Sequence, residues 1–466
     1  MSAPMTFERR PLPDGFVEQL SALFGDRLEL GEAMRLQHGS SETHFEPVLP
    51  DAVVFPLSTE EVVALVKACV AAEVPIVPFG AGTSVEGNVT PVRGGVSVDL
   101  SRMNAILSVN AEDFDCTVQA GVRREELNVH LRDTGLFFPI DPGANATLGG
   151  MASTRASGTN AVRYGTMRDA VLNLRVVTPD GRDIRTATRA RKSAAGYDLT
   201  RLMIGAEGTL GIITEVTLRL HGIPEQISAA VCGFETLQGA VDTVVQSIQM
   251  GVPLARVEIL DDVQMKAVNA WSKLDYPEVT TLFFEFHGSP KGVAEQIEIV
   301  ESLAQANGGG EFKWAELAEE RSKLWKARHE AYYAAVNMRK GAVGWATDVC
   351  VPISRLPECI VETKRDIDAG SVPAAILGHV GDGNFHVVFS VDPNSPAEAA
   401  EVEAINRRLV RRALDMDGTC TGEHGIGLGK QDWLVEELGE AVDMMRIVKR
   451  AIDPKNLFNP GKIFTL

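Results

Sequence analysis

The stretch LGHVGDGNFHVVF, residues 377–389, sets two histidines seven positions apart in an otherwise apolar run, with Gly-Asp-Gly-Asn between them. A buried strand pair has no need of imidazoles; a divalent metal does. Gly381-Asp382-Gly383-Asn384 has the composition of a four-residue hairpin loop. On such a hairpin Val380 faces Phe385 and His379 faces His386, and directly opposed residues carry Cβ atoms ~5 Å apart on one face. Two imidazoles so placed can share one cation, whereas on a continuous strand positions seven apart would point to opposite faces. CTGEHGIG, residues 420–427, offers a third ligand in Glu423, with His424 beside it among small residues that permit close packing. Two histidines and a carboxylate leave a coordination position open for a substrate. A structural zinc site would rather close with thiolates, and only Cys420 is near.

A second group of segments is rich in glycine. PFGAGTS runs from residue 78 to 84, PGANATLGGMASTRASGTNAVRYG from 142 to 165, and GAEGTLGIITEV from 205 to 216. Small residues let backbone N–H groups approach a ligand closely, and three such loops in one region exceed what turns alone require. Gly80-x-Gly82 lacks the third glycine and the apolar helix of a dinucleotide fingerprint. GLGKQ at 427–431 fails as a phosphate loop, because His424 stands where glycine is required and Gln431 follows the lysine.

The elements that must carry these loops can be read from periodicity. Val53 to Phe55 predicts a strand. Ser58 with Glu61 predicts a capping box for a helix striped by Val62, Leu65, Val66, Cys69 and Val70, and Val74 to Phe79 predicts a second strand. Strand-like runs follow at GGVSVDL, CTVQAGV, LNLRVVTPDGRDI and GIITEVTLRL, interrupted by a helix from Arg124 to Asp133. Beyond Pro224, AAVCGFETLQGAVDTVVQSIQMG and TLFFEFHGSPKGVAEQIEIVESLAQANG each read strand then helix, the pattern of an α+β domain on one antiparallel sheet. A last amphipathic helix is expected from Gln431 to Ile452. The expected division is an N-terminal helical segment at 1–46, a loop-bearing domain at 47–224, a second domain at 225–420, and a segment at 421–466 that returns to the first.

Composition narrows the partners. The chain has 466 residues, long enough for two or three domains, with 45% hydrophobic and 23% charged residues, an ordinary globular balance. A net charge of −18 argues against nucleic acid, since counterion release needs a basic face. The six cysteines form no C-x-x-C pair and read as reduced core residues. The start, MSAPMTFERRPLPDGF, has no apolar signal region, and no apolar run is long enough to span a bilayer, so a cytoplasmic location is expected, or the mitochondrial matrix in a eukaryote.

The motifs together resemble a known family. VPFGAGTS, DPGANATLGGMASTRASGTN, RYGTMRD and GAEGTLGIIT are similar to the FAD-binding domain of the vanillyl-alcohol-oxidase-like flavoproteins. GHVGDGNFH and TGEHGIGLGK, followed by DPKNLFNPGKIF, resemble the FAD-linked D-2-hydroxyacid dehydrogenases. LWKARHEAYYAAVNMRKGAVGWATDVCVPISRLPE, residues 324–358, looks most like the cytochrome-linked D-lactate dehydrogenases among them. The resemblance covers about residues 45 to 466. It implies an α+β architecture: a two-subdomain FAD-binding domain and an α+β substrate domain with a large antiparallel sheet.

For FAD the resemblance implicates Pro78, Gly80, Ala81, Gly82, Thr83 and Ser84 in the first loop. In the second it implicates Pro142, Gly143, Thr147, Gly149, Gly150, Ser153, Gly158, Asn160, Arg163 and Gly165. Glu207, Gly208, Ile212 and the distant Asn459 complete the set. Some relatives tether the flavin through a histidine in the first loop; residues 78–90 contain none, so the expectation is non-covalent FAD. The resemblance also assigns His379, His386 and Glu423 to one divalent metal, zinc or manganese, His424 to the catalytic base, and Arg328 to the substrate carboxylate.

These roles suit the oxidation of a small 2-hydroxy acid, which removes a proton from oxygen and a hydride from C2. The missing nicotinamide fingerprint favours cytochrome c, a quinone or an electron-transfer flavoprotein as acceptor, and a homodimer is compatible with the composition. D-2-hydroxyglutarate or glycolate is the alternative substrate on the same scaffold. The related 2-hydroxyglutarate dehydrogenases carry a lysine shortly before the aspartate that matches Asp348; here Gly344-Trp345-Ala346-Thr347 has no cation. Two readings of other kinds are a flavin-bearing electron-transfer subunit of a larger complex and a metal-stabilised binding module.

Overall fold

Ser58 opens the first long helix by accepting a hydrogen bond from the Glu61 amide at 3.3 Å. Thr59–Ala72 then buries Val62, Leu65, Val66 and Cys69. The reciprocal half of the expected capping box is diverted. Glu61 accepts from the Leu57 amide at 2.8 Å and from Arg27 Nη2 at 2.8 Å, because a guanidinium competes better for a carboxylate than a neighbouring amide does. The computed structural model describes residues 8–315 and 317–466, so the first seven residues of the expected N-terminal segment lie outside it. The remainder of that segment holds two short helices, Phe16–Phe24 and Glu32–Gly39.

Two compact units emerge. The first comprises the chain up to Ala156, Thr166–Gly222 and Glu423–Leu466. It contains a four-stranded sheet in the order Leu28–Glu29, Ala52–Val54, Val96–Asp99, Ile76–Phe79, the last three parallel. A parallel pair needs a crossover, and the Thr59–Ala72 helix supplies it. A five-stranded antiparallel sheet follows in the order Ile106–Asn110, Asp115–Gln119, Ile212–Arg219, Val171–Val177, Asp183–Arg185. A third, two-stranded sheet pairs Leu136–Phe137 with His221–Gly222.

The C-terminal residues join this first unit. The Ile76 amide donates to the Leu457 carbonyl at 2.8 Å, and the Asn459 amide to the Ile76 carbonyl at 2.7 Å. The single helix expected from Gln431 to Ile452 is two, Gln431–Leu438 and Ala441–Ile452. Gly439 breaks it: at φ +52° its amide caps the first helix on the Val435 carbonyl.

The second unit comprises Ser157–Gly165 and Ile223–Gly422. Its eight-stranded sheet runs Lys313–Ala315, Gln226–Gly233, Thr281–Gly288, Leu254–Leu260, Ala374–Gly378, Asn384–Val391, Val343–Ala346, with Val349–Cys350 also paired to Asn384–Val391. Each of these pairings is antiparallel. A core of Val231, Leu260, Met265, Phe283, Trp325, Ala335, Leu377 and Val388 joins sheet to helices. The Ser157–Gly165 segment belongs here although its sequence continues the second glycine-rich loop. Tyr164 Oη lies 2.7 Å from His287 Nδ1, and Arg256 Nε donates to Asn160 Oδ1 at 2.9 Å.

Candidate active site

The histidines sit on a hairpin that glycine makes possible. Strands Ala374–Gly378 and Asn384–Val391 pair with Leu377 opposite His386 and Ile376 opposite Val387. His379 is therefore not directly opposite His386, as a four-residue loop would have it. A 3-10 turn, Val380–Asp382, and Gly383 at φ +80° tighten the connection, and His379 lies across from Asn384, whose amide donates to its carbonyl at 3.3 Å. The two imidazoles are diagonal neighbours, with centroids 5.6 Å apart and planes at 85°. A Cβ on Gly383 would strike the Val351 carbonyl, and one on Gly378 would come within 2.5 Å of Phe385 Cα. The Gly-x-x-Gly-x-Gly spacing is thus a packing requirement of the hairpin.

Each ring is held from behind. His379 Nδ1 lies 2.7 Å from Glu258 Oε1, a carboxylate with no exposed surface on the neighbouring strand Leu254–Leu260. His386 Nδ1 lies 3.0 Å from the Thr347 carbonyl and 3.6 Å from Asp348 Oδ1. Both acceptors are oxygens, so both rings carry the proton on Nδ1 and Nε2 is the nitrogen that each would give to a metal. Asp348 is itself fixed, by Asn384 Nδ2 at 2.8 Å and Thr421 Oγ1 at 2.7 Å. A histidine pair of one tautomer, backed by buried carboxylates, fits a divalent cation.

Arg328, near the end of helix Ala318–His329, is buried and turns to the same carboxylate. Its Nε and Nη2 donate to Glu258 Oε2 at 2.9 and 2.5 Å. Burial pushes Glu258 up, but His379 and Arg328 outweigh it and hold the group below the ordinary carboxylate range. Neither Glu258 nor the Thr347 carbonyl was named from sequence. The available signal was the lone acid in the apolar strand LARVEIL. Trp345 pairs with Phe389 on the edge strand, and Tyr332 packs against the adjoining core.

Glu423 and His424 belong to the first unit. There His424 Nδ1 is 4.0 Å from Glu86 Oε1, and Glu86 is ion-paired with Lys430 at 3.2 Å. Preceding them, Gly422 packs in the second unit, where a Cβ would strike the Asn384 amide. The segment that follows is anchored by Glu207. This buried residue at φ +50° accepts from the amides of Ile426 at 2.8 Å and Gly427 at 2.9 Å and from Asn88 Nδ2 at 2.7 Å. Asn459 Nδ2 donates to the Glu207 carbonyl at 2.6 Å. Nearby, burial pushes Lys462 down to about 7 against the pull of Glu207.

The glycine-rich loops of the first unit converge. A Cβ on Gly80 would strike Thr147 Oγ1, and one on Gly208 would come within 2.9 Å of the Pro78 ring. Gly82, at φ +69°, would press a Cβ to 2.6 Å from the Phe79 ring. Ser84 Oγ is buried with no hydrogen-bond partner among the described residues. Close approaches at Gly80, Gly82 and Gly208, together with an orphaned hydroxyl, fit a ligand cradle. Ala81, Thr83, Pro142 and Gly143 lie on these same loops, with Gly149, Gly150 and Ser153 on the short helix Leu148–Thr154 that follows. Gly158, Asn160, Arg163 and Gly165 do not; they belong to the second unit, where Arg163 donates to the Pro253 carbonyl. The Ile212 side chain is fully buried in the hydrophobic core.

Comparison with known proteins accounts for both units. Residues 50–187 match the family described as FAD binding domain, and residues 223–463 match FAD linked oxidases, C-terminal domain. The chain belongs to the FAD-linked oxidases. It is 54% identical to a probable mitochondrial D-lactate dehydrogenase of Danio rerio over 97% of this chain and 92% of that one. It is 46% identical to the mitochondrial D-lactate dehydrogenase [cytochrome] of Arabidopsis thaliana over 98% of this chain and 81% of that one. The fold is of the vanillyl-alcohol-oxidase type. p-Cresol methylhydroxylase superposes with a TM-score of 0.82 at 18% identity, covering 98% of this chain and 99% of its own. No helix among the described residues is long and apolar enough to cross a membrane.

Proposed function

We propose that this FAD-linked oxidoreductase oxidises D-lactate and related small D-2-hydroxy acids to 2-oxo acids, with one divalent metal, zinc or manganese, held by His379, His386 and Glu423. The observation that carries the reading is the His379–His386 pair, each ring committed through Nδ1 to an acceptor behind it. FAD is held without a covalent tether by the converging loops around Gly80, Ser84, Thr147 and Gly208.

When bound, FAD supplies the two-electron acceptor, and the metal supplies Lewis acidity toward the substrate hydroxyl. His424, as a neutral imidazole, takes the hydroxyl proton. Arg328 spends Nε and one Nη2 proton on Glu258, which leaves the Nη1–Nη2 edge to receive the substrate carboxylate. Electrons pass on to cytochrome c or another non-nicotinamide acceptor. The Arabidopsis relative, whose name specifies cytochrome, supports that assignment.

Small aliphatic substrates are favoured over D-2-hydroxyglutarate. The stretch before Asp348 carries no cation, and Arg339 is tied to Glu398 at 2.9 and 2.5 Å and to the Ser390 carbonyl at 2.8 Å. A second substrate carboxylate desolvated without a partner costs several kcal/mol, on the order of 3. Specificity constants for D-lactate and D-2-hydroxyglutarate, measured side by side on the purified chain with a dye acceptor, test this. D-lactate is expected to give the higher value, and the reverse order would refute the assignment.

A further inference from the structure

Glu258 touches two of the functional residues named above. Oε1 meets His379 Nδ1 at 2.7 Å, while Oε2 takes Arg328 Nε at 2.9 Å and Nη2 at 2.5 Å. An ion pair made only for stability would be complete with the guanidinium. Here the second oxygen is aimed at an imidazole, and the carboxylate has no exposed surface. Register explains the aim: Ile259, next to Glu258, pairs with Gly378, next to His379, so adjacent strands deliver acid and imidazole to one place.

We propose that Glu258 is a positioning residue that sets, with one oxygen each, the metal ligand His379 and the substrate-binding Arg328. This inference rests on the function proposed above and adds to it a fixed spacing between the metal corner and the carboxylate corner of the site. A carboxylate accepts and cannot donate, so it holds the His379 proton on Nδ1 and keeps the Nε2 lone pair for the metal. His386 reaches the same tautomer through the Thr347 carbonyl at 3.0 Å, with its carboxylate, Asp348, farther off at 3.6 Å, so His379 is the more strongly polarised ligand of the two. The Nε–Nη2 edge of Arg328 is used up by Oε2, which fixes the plane of the guanidinium and the direction of its remaining edge. A lysine at 328 could not make both sets of contacts.

Glu258→Gln keeps the shape and breaks the logic. One of its terminal atoms becomes an NH2 donor, facing either His379 Nδ1 or the guanidinium. In the first case the imidazole must move its proton to Nε2; in the second, donor meets donor. FAD-loaded Glu258→Gln should bind Zn(II) roughly 10- to 100-fold more weakly in competition with a chromophoric chelator. At saturating metal it should also show a raised KM for D-lactate, while flavin content stays at the wild-type level. Unchanged zinc affinity together with unchanged KM would overturn the proposal. Should the variant fail to retain flavin, the wild-type protein decides. With ¹⁵N-labelled histidine, the imidazoles whose Nε2 signals shift on adding Zn(II) should be protonated at Nδ1 beforehand, and an Nε2-protonated ligand would overturn the proposal. A wild-type protein that binds neither zinc nor manganese overturns the metal reading itself, and this inference with it.

Discussion

In the proposed reaction His386 and His424 carry separable duties, and substitution should separate them. His386→Ala removes one nitrogen of the proposed metal site from the second unit, so FAD should stay bound while D-lactate oxidation is lost. Flavin content and dye reduction measure the two, and near wild-type turnover after chelator treatment would exclude a role for a metal. His424→Ala should keep its metal and slow flavin reduction by ~10²-fold or more, the usual contribution of a positioned base. Single-turnover reduction at the wild-type rate would remove His424 from that role. At this scale the sequence was legible where chemistry shows in residue type. Paired histidines in an apolar strand and Glu-His between glycines declare themselves. Glu258 did not, because its partners His379 and Arg328 lie 121 and 70 positions away, and only the strand pairing brings them to it.

The hairpin is the element on which the histidine pair depends. Its periodicity was legible, but its register was not. Whether four residues turn the chain or a 3-10 turn takes in Val380–Asp382 depends on the backbone at Gly383, which meets the Val351 carbonyl just beyond the strand Val349–Cys350. The helix break at Gly439 escaped for a related reason: the apolar stripe continues through it while the backbone does not. Gly383→Ala should be costly on two counts. It places an L side chain at φ +80° and drives Cβ into a carbonyl oxygen, so a loss of more than about 1 kcal/mol is expected. Thermal unfolding measures the stability, and zinc affinity should fall with it. Wild-type values for both would show that the turn relaxes without disturbing the imidazoles.

Across the whole molecule, the sequence conveyed the α+β class and the antiparallel sheet of the second unit, since period and order of elements dictate these. Residues 423–466 fold with the first unit. The anchor of that segment, Glu207 receiving the Ile426 and Gly427 amides, spans about 220 positions and has no local signature. The same holds for Ser157–Gly165, which reads as a continuation of a glycine-rich loop yet folds with the second unit. The central claim, metal-dependent oxidation of a D-2-hydroxy acid by bound flavin, is tested most directly by mixing the flavin-loaded protein with lactate in the absence of oxygen. The visible flavin band should bleach rapidly with D-lactate and not with L-lactate. The bleaching should disappear after chelation and return on adding zinc or manganese. Bleaching at an undiminished rate in protein shown to be metal-free by elemental analysis, or faster bleaching with L-lactate, would contradict it.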